Sequence, residues 1–128
     1  EASNKREIKK ETMKAIELIK TVAARLGWQV YTESKARLVE FCFQHYTSAG
    51  QDFNFCVEMK KSNPDSLLDE IEQYYENFDV DYEAYLWIGQ DGHGKNGAPY
   101  HIKDIVSDME QAETMIKTLH ETLKAALR

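Results

Sequence analysis

Basic side chains are missing altogether from residues 65 to 91, a stretch that holds nine carboxylates. Cysteine and proline are scarce elsewhere too, with two of each in 128 residues. Glycine is scarce outside one segment, because four of the six glycines fall between positions 89 and 97. No apolar run approaches the roughly 18 residues of a spanning helix, and the charged start lacks the apolar core of a signal peptide. A cytoplasmic address without membrane contact is therefore expected, and a lone cysteine pair there is expected to be reduced.

What is present describes one folded unit. Hydrophobic residues make up 42% and charged residues 30% of the chain, which excludes a disordered tail. A single domain over residues 1–128 is expected, with a radius of gyration of roughly 14 Å. The formal charge is −6, and its placement is uneven. Residues 1 to 26 carry seven basic and four acidic groups, against none and nine for residues 65 to 91. That imbalance argues against nucleic acid, whose phosphates need a basic stripe, and favours a protein partner with a basic surface.

Local patterns give the elements. From Lys5 to Leu26, Ile8, Thr12, Ala15, Ile19, Val22 and Leu26 recur at four-three spacing, one face of a helix that Gly27 ends. Three period-two series follow: Trp28, Val30, Thr32; Val39, Phe41, Phe43, His45; and Phe53, Phe55, Val57, Met59. They predict a three-stranded antiparallel meander with an aromatic inner face. Facing Phe to Phe across the second and third strands requires an even sum of paired numbers: 98 sets Phe43 opposite Phe55 and Cys42 opposite Cys56, and 96 sets Cys42 opposite Asn54. Asn63-Pro64 is expected to start a second helix, with Leu67, Leu68, Ile71, Tyr74, Tyr75 and Phe78 on its inner face.

Asp79-Val80-Asp81 reads as a turn with a new N-cap, and residues 85–89 as either a fourth strand or the end of a short helix. Ile102–Ser107 reads as a helical turn, and Ser107 with Glu110 as the capping box of a last helix. That helix carries Met109, Ala112, Ile116, Leu119, Leu123 and Ala126. Its seam matches that of the first helix, so the two are expected to pack as an antiparallel pair within the chain, the alternative being a weak homodimer. The fold class is α+β: an N-terminal helix, the meander, then two or three helices on one sheet face.

Two segments are candidates for function. The acidic stretch interleaves carboxylates with Tyr74, Tyr75, Phe78, Tyr82, Tyr85 and Trp87; tyrosines give rigid contact area while acids steer association. Its partner-contacting residues are expected to be Glu72, Tyr75, Glu76, Asp79, Asp81, Tyr82 and Glu83, joined by His93, Lys95 and Asn96 from the next loop. The bland alternative is that basic residues of the first helix neutralise these acids within the fold. The loop Gly92–Tyr100 contains G-x-G-x-x-G at Gly92, Gly94 and Gly97, but Ala98-Pro99 blocks the helix entry that a dinucleotide site requires. Asp79, Asp81 and Glu83 alternate like calcium-loop ligands, yet Ala84 and Gln90 stand where Gly and Glu are needed. Asp91, His93, Lys95 and His101 are the weak catalytic candidates; they lack a nucleophile arrangement and metal-ligand spacing. No cofactor or metal is expected.

Ser48-Ala49-Gly50-Gln51-Asp52-Phe53, Phe78-Asp79-Val80-Asp81, Leu86-Trp87-Ile88 and Gly94-Lys95-Asn96-Gly97-Ala98-Pro99 resemble a family of small uncharacterised bacterial proteins associated with plasmids, phages and conjugative elements. The resemblance covers about residues 47 to 127. It carries no activity, cofactor or catalytic residue. It implies a mobile-element accessory protein, such as an inhibitor or modulator of a nucleic-acid-handling or defence enzyme. The expectation is thus a noncatalytic acidic binding module. The alternatives are a small enzyme or ligand-binding domain around Gly92–Tyr100, and an RNA-binding domain by analogy of element order alone.

Overall fold

The four-three apolar spacing of the first segment forms α1 (Ala2–Arg25). The computed structural model describes residues 2–128, with side chains from Lys5 onward. Gly27 ends α1 in a left-handed conformation, φ 92°. Its N–H donates to the Ala24 carbonyl and that of Trp28 to Ala23, each at 3.0 Å, the double bond that closes a helix through glycine. A β-carbon at Gly27 would lie 2.6 Å from His45 Nε2, so both backbone and packing require glycine here.

The chain then runs through β1 (Gln29–Ser34), β2 (Leu38–Tyr46) and β3 (Asp52–Lys60) in sheet order β1-β2-β3, antiparallel throughout. Phe43 pairs with Phe55 and Cys42 with Cys56, the first of the two registers that alternation allows. The inner face buries Val39, Phe41, Phe43, Phe53, Phe55, Val57 and Met59. Trp28 meets Phe43, Phe53 and Phe55 edge-on, arrangements that complement ring quadrupoles. The expected free thiols are a correction: Cys42 and Cys56 form a disulfide. Cross-strand register holds their Cα atoms 4.1 Å apart, and an oxidised pair runs against the cytoplasmic expectation.

Three helices follow: α2 (Ser66–Glu76), α3 (Val80–Tyr85) and α4 (Ile102–Leu127). Tyr74 of α2 stacks on Phe55 at 4.5 Å, and Phe78 meets Phe53 at 6.0 Å, which seals the aromatic layer. Ile105, Met109, Ala112, Ile116, Leu119 and Leu123 bury the inner stripe of α4, and α4 contacts α1, α2 and α3. The last turn of α1 and the first turns of α4 both lie at the β2–β3 hairpin end, since His45 approaches Leu26 and Asp108 holds Thr47.

Several boundaries differ from expectation. Asn63 and Pro64 do not open α2; they form turns through Asn63 N–H to Lys60 O and Ser66 N–H to Asn63 O, and Asp65 takes the N-cap position. α4 is continuous from Ile102, so Ser107 lies inside it rather than capping it, and His101 stands at the cap. Residues 85–89 are the end of α3 and a turn, with only an isolated bridge from Ile88 to Gly94, so no fourth strand joins the sheet. Ile8, in the middle of the apolar stripe, is 45% exposed, because it lines an open groove instead of the core. Ala126 is exposed as well.

Candidate functional site

The acidic segment becomes a ridge along α2, α3 and the turn between them. Asp79 works as a true N-cap: its Oδ1 accepts from the N–H of Asp81 at 3.0 Å and of Tyr82 at 3.2 Å. This sets the direction of α3 and satisfies two of its free donors. Tyr82 and Tyr85 are 60% and 68% exposed, and Glu72, Glu76, Asp79 and Asp81 are exposed around them. Tyr75 is half-buried and packs against the core, so its contribution to an outer surface is partial.

Glu83 is half-buried beneath the ridge. Burial, and then the neighbouring Asp79 carboxylate, hold its carboxyl above the usual carboxylate range. Tyr74 is pushed up to about 12 by burial and then by Glu83. Among the described residues one ion pair touches the ridge, His120 Nε2 to Glu72 Oε2 at 3.9 Å. No ion pair links α1 to it among those residues, so the alternative of neutralisation by the first helix has no direct contact behind it there.

The cause is tertiary. Lys5, Lys9 and Lys61 gather with Ser34 at one end of the sheet, and Lys61 donates its N–H to Arg37 O there. Asp52 and Glu83 share a cleft at the other end. Lys5, Lys9 and Lys61 are thus separated from Asp52 and Glu83 by the length of the strands, an arrangement that segment charges alone do not reveal.

The glycine-rich loop is held by its own backbone. Gly89 N–H donates to His93 O, Gly92 to Gly89 O, Gly94 to Tyr100 O, Lys95 to Trp87 O and Ala98 to Lys95 O, at 2.7 to 3.1 Å. His93 N–H donates to Asp91 Oδ1 at 3.1 Å. With these donors committed, the loop is a poor cradle for phosphate. Gly94 is required by close approach, since a β-carbon there would lie 1.9 Å from the Pro99 carbonyl oxygen.

The weak catalytic candidates lie on and beside the loop. Asp91 caps its own turn, the His93 ring stacks on Tyr100 at 4.0 Å, and His101 lies edge-on to Tyr100. Lys95 instead lines a cleft of about 380 Å³ with Asp52, Glu83, Trp87 and Asn96. Among the described residues no group of three or more His, Cys, Asp or Glu side chains is placed to hold a metal ion.

The structure also joins segments far apart in the chain. Thr47 Oγ1 donates to Asp108 Oδ2 at 2.6 Å, Ala49 N–H to Asp108 Oδ1 at 3.2 Å, and Ser48 N–H to Gln111 Oε1 at 3.1 Å. Gln51 Nε2 donates to Gly97 O at 3.0 Å, while its buried Oε1 has no partner among the described residues. The hairpin, the glycine loop and α4 thus form one support behind the ridge. Sequence patterns missed Asp108, although its place between Ile105 and Ala112 on a buried stripe signals a polar group with a fixed partner. They also left out Leu86 and Tyr100, which are 47% and 60% exposed.

One further surface was legible and overlooked. The same register sum of 98 sets Glu40 opposite Glu58, and Glu33 lies across Glu40 on the other side, so three carboxylates cross the outer sheet face in one row. Comparisons with protein-family models, with curated proteins and with solved structures found no match.

Proposed function

We propose that this chain is a noncatalytic acidic binding module that docks on a protein with a basic surface. The observation that carries this reading is the exposure of Tyr82 and Tyr85 amid carboxylates that form no ion pair with Lys or Arg among the described residues. Ring area supplies contact, and unpaired acids steer approach and select against acidic partners. The hairpin and loop network behind the ridge holds it in place, which lowers the ordering cost of binding.

In the finer form of the proposal, this is a mobile-element accessory protein that inhibits or modulates a host nucleic-acid-handling or defence enzyme. The resemblance of the 48–53, 78–81, 86–88 and 94–99 segments supports it. Those segments converge in the fold, as the Gln51 to Gly97 bond and the Phe53 to Phe78 ring contact show.

The test is affinity capture from the native host, using wild type and Glu72→Gln/Glu76→Gln/Asp79→Asn/Asp81→Asn. Asparagine at position 79 keeps the helix cap. Wild type should retain a basic protein at low salt and release it as salt rises, while the neutralised variant, with unchanged circular dichroism, should not. Equal retention by both chains refutes the proposal.

A further inference from the structure

The groove on α1 is the counterpart of the ridge. It holds about 430 Å³ between the N-terminal half of α1 and the sheet end, with Ile8, Met13 and Ile16 as its floor and Lys5, Lys9 and Lys61 at its rim. Ile8 and Met13 are 45% and 58% exposed, and among the described residues no carboxylate lines the groove. The Thr12 hydroxyl donates to the Lys61 carbonyl at 3.0 Å, so this polar group on the floor is already satisfied. From Lys5 to Ile16 the helix rises roughly 17 Å.

At the opposite end of the sheet, α3 carries the complementary pattern. Tyr82, Tyr85 and Leu86 are 60%, 68% and 47% exposed and share one face through their three-four spacing, with exposed Asp79 and Asp81 beside them. From Val80 to Tyr85 the helix rises about 8 Å, short enough to lie in the groove. Apolar side chains then meet apolar floor, and carboxylates meet the lysine rim.

We propose that the groove of one copy receives α3 of a second copy, so that the protein associates head to tail. The inference rests on the ridge being a docking surface and names one occupant for it. Because the two contact patches differ and lie at opposite ends, each bound copy keeps a free groove or a free ridge. Association of this kind continues into chains unless the geometry closes a ring. Self-association also hides the ridge, so a basic partner and a second copy compete for it.

Sedimentation of the purified full chain from low to high micromolar concentration tests this, in about 0.05 M and about 0.5 M salt. The mean mass should rise with concentration in low salt and fall back in high salt. Met13→Asp, Lys9→Glu/Lys61→Glu in the groove, and Asp81→Lys on the ridge lie at the surface and should each reduce association at least tenfold. Mixing the Lys9→Glu/Lys61→Glu chain with the Asp81→Lys chain should restore it, since each supplies the charge that the other lacks. A chain that stays monomeric at every concentration in low salt overturns the inference, as does association that Met13→Asp leaves unchanged. Met13→Asp does not alter the ridge, so that variant should still capture a basic partner; a wild-type chain that captures the partner yet stays monomeric sinks this inference and leaves the docking reading standing.

Discussion

Replacing Asp108 by alanine tests whether the hairpin is held on α4 by one buried carboxylate. Asp108 and Thr47 are each 5% exposed, and Asp108 accepts from the Thr47 hydroxyl at 2.6 Å and the Ala49 N–H at 3.2 Å. Hydrogen bonds to a charged acceptor contribute about 1.5–3 kcal/mol each, with the longer bond at the low end. Against them stands the desolvation of a carboxylate that makes no ion pair, which the substitution relieves. A net loss of about 2–4 kcal/mol follows. With a urea slope near 1.5 kcal/mol per molar, the unfolding midpoint should fall by roughly 1–3 M.

Asp108→Asn should fall between wild type and alanine, because an amide offers one acceptor and turns a donor toward the other bond. Thr47→Val should cost less when Asp108 is already alanine, as shared partners make the two changes non-additive. Amide exchange at Ala49 should speed up selectively in Asp108→Ala. A loss below about 0.5 kcal/mol, the size of an ordinary surface change, would refute the reasoning and return the hairpin to solvent.

Three further outcomes follow from the same structure. Glu83 keeps its proton to higher pH in the folded than in the unfolded chain, so its contribution to stability falls as pH rises just above the ordinary carboxylate range. Glu83→Gln should therefore raise the thermal midpoint at neutral pH and lose that advantage in acid; an equal gain at both pH values contradicts it. By the same sign, Tyr74 should ionise near pH 12 rather than 10, visible as one late step in the phenolate absorbance, and stability should decline across that interval. The disulfide spans 14 residues, so reduction should cost about 2–3 kcal/mol by the loop-entropy argument. Iodoacetamide should leave the native unreduced chain unmodified, and alkylation of both cysteines would contradict the pairing.

Periodicity was enough for the elements because it is local: one buried face imposes four-three spacing on a helix and alternation on a strand. The same rule excluded a one-residue slip of β2 on β3, which would turn Phe43 and Phe55 outward, but the choice between the two in-phase registers came from the fold. Asp79 was readable as a cap from its position alone. The starts of α2 and α4 were not, because Asn63-Pro64 and Ser107-Glu110 satisfy capping patterns that the folded chain overrides with turns and continuous helix. Residues 85–89 could not be assigned from sequence, because a short apolar run fits strand and helix end equally well.

For the site, the sequence determined which side chains are acidic, aromatic or basic, and the tertiary structure decided where they meet. Segment charges permit α1 to neutralise the ridge, but only the fold shows that Lys5 and Lys9 lie at the sheet end away from the cleft of Asp52 and Glu83. Asp108 finds Thr47 across 61 positions, and the cysteine register left the oxidation state open until the paired strands closed the bond. Composition and spacing act between neighbours in the chain, whereas charge separation and buried polar pairing depend on distances that exist only after folding.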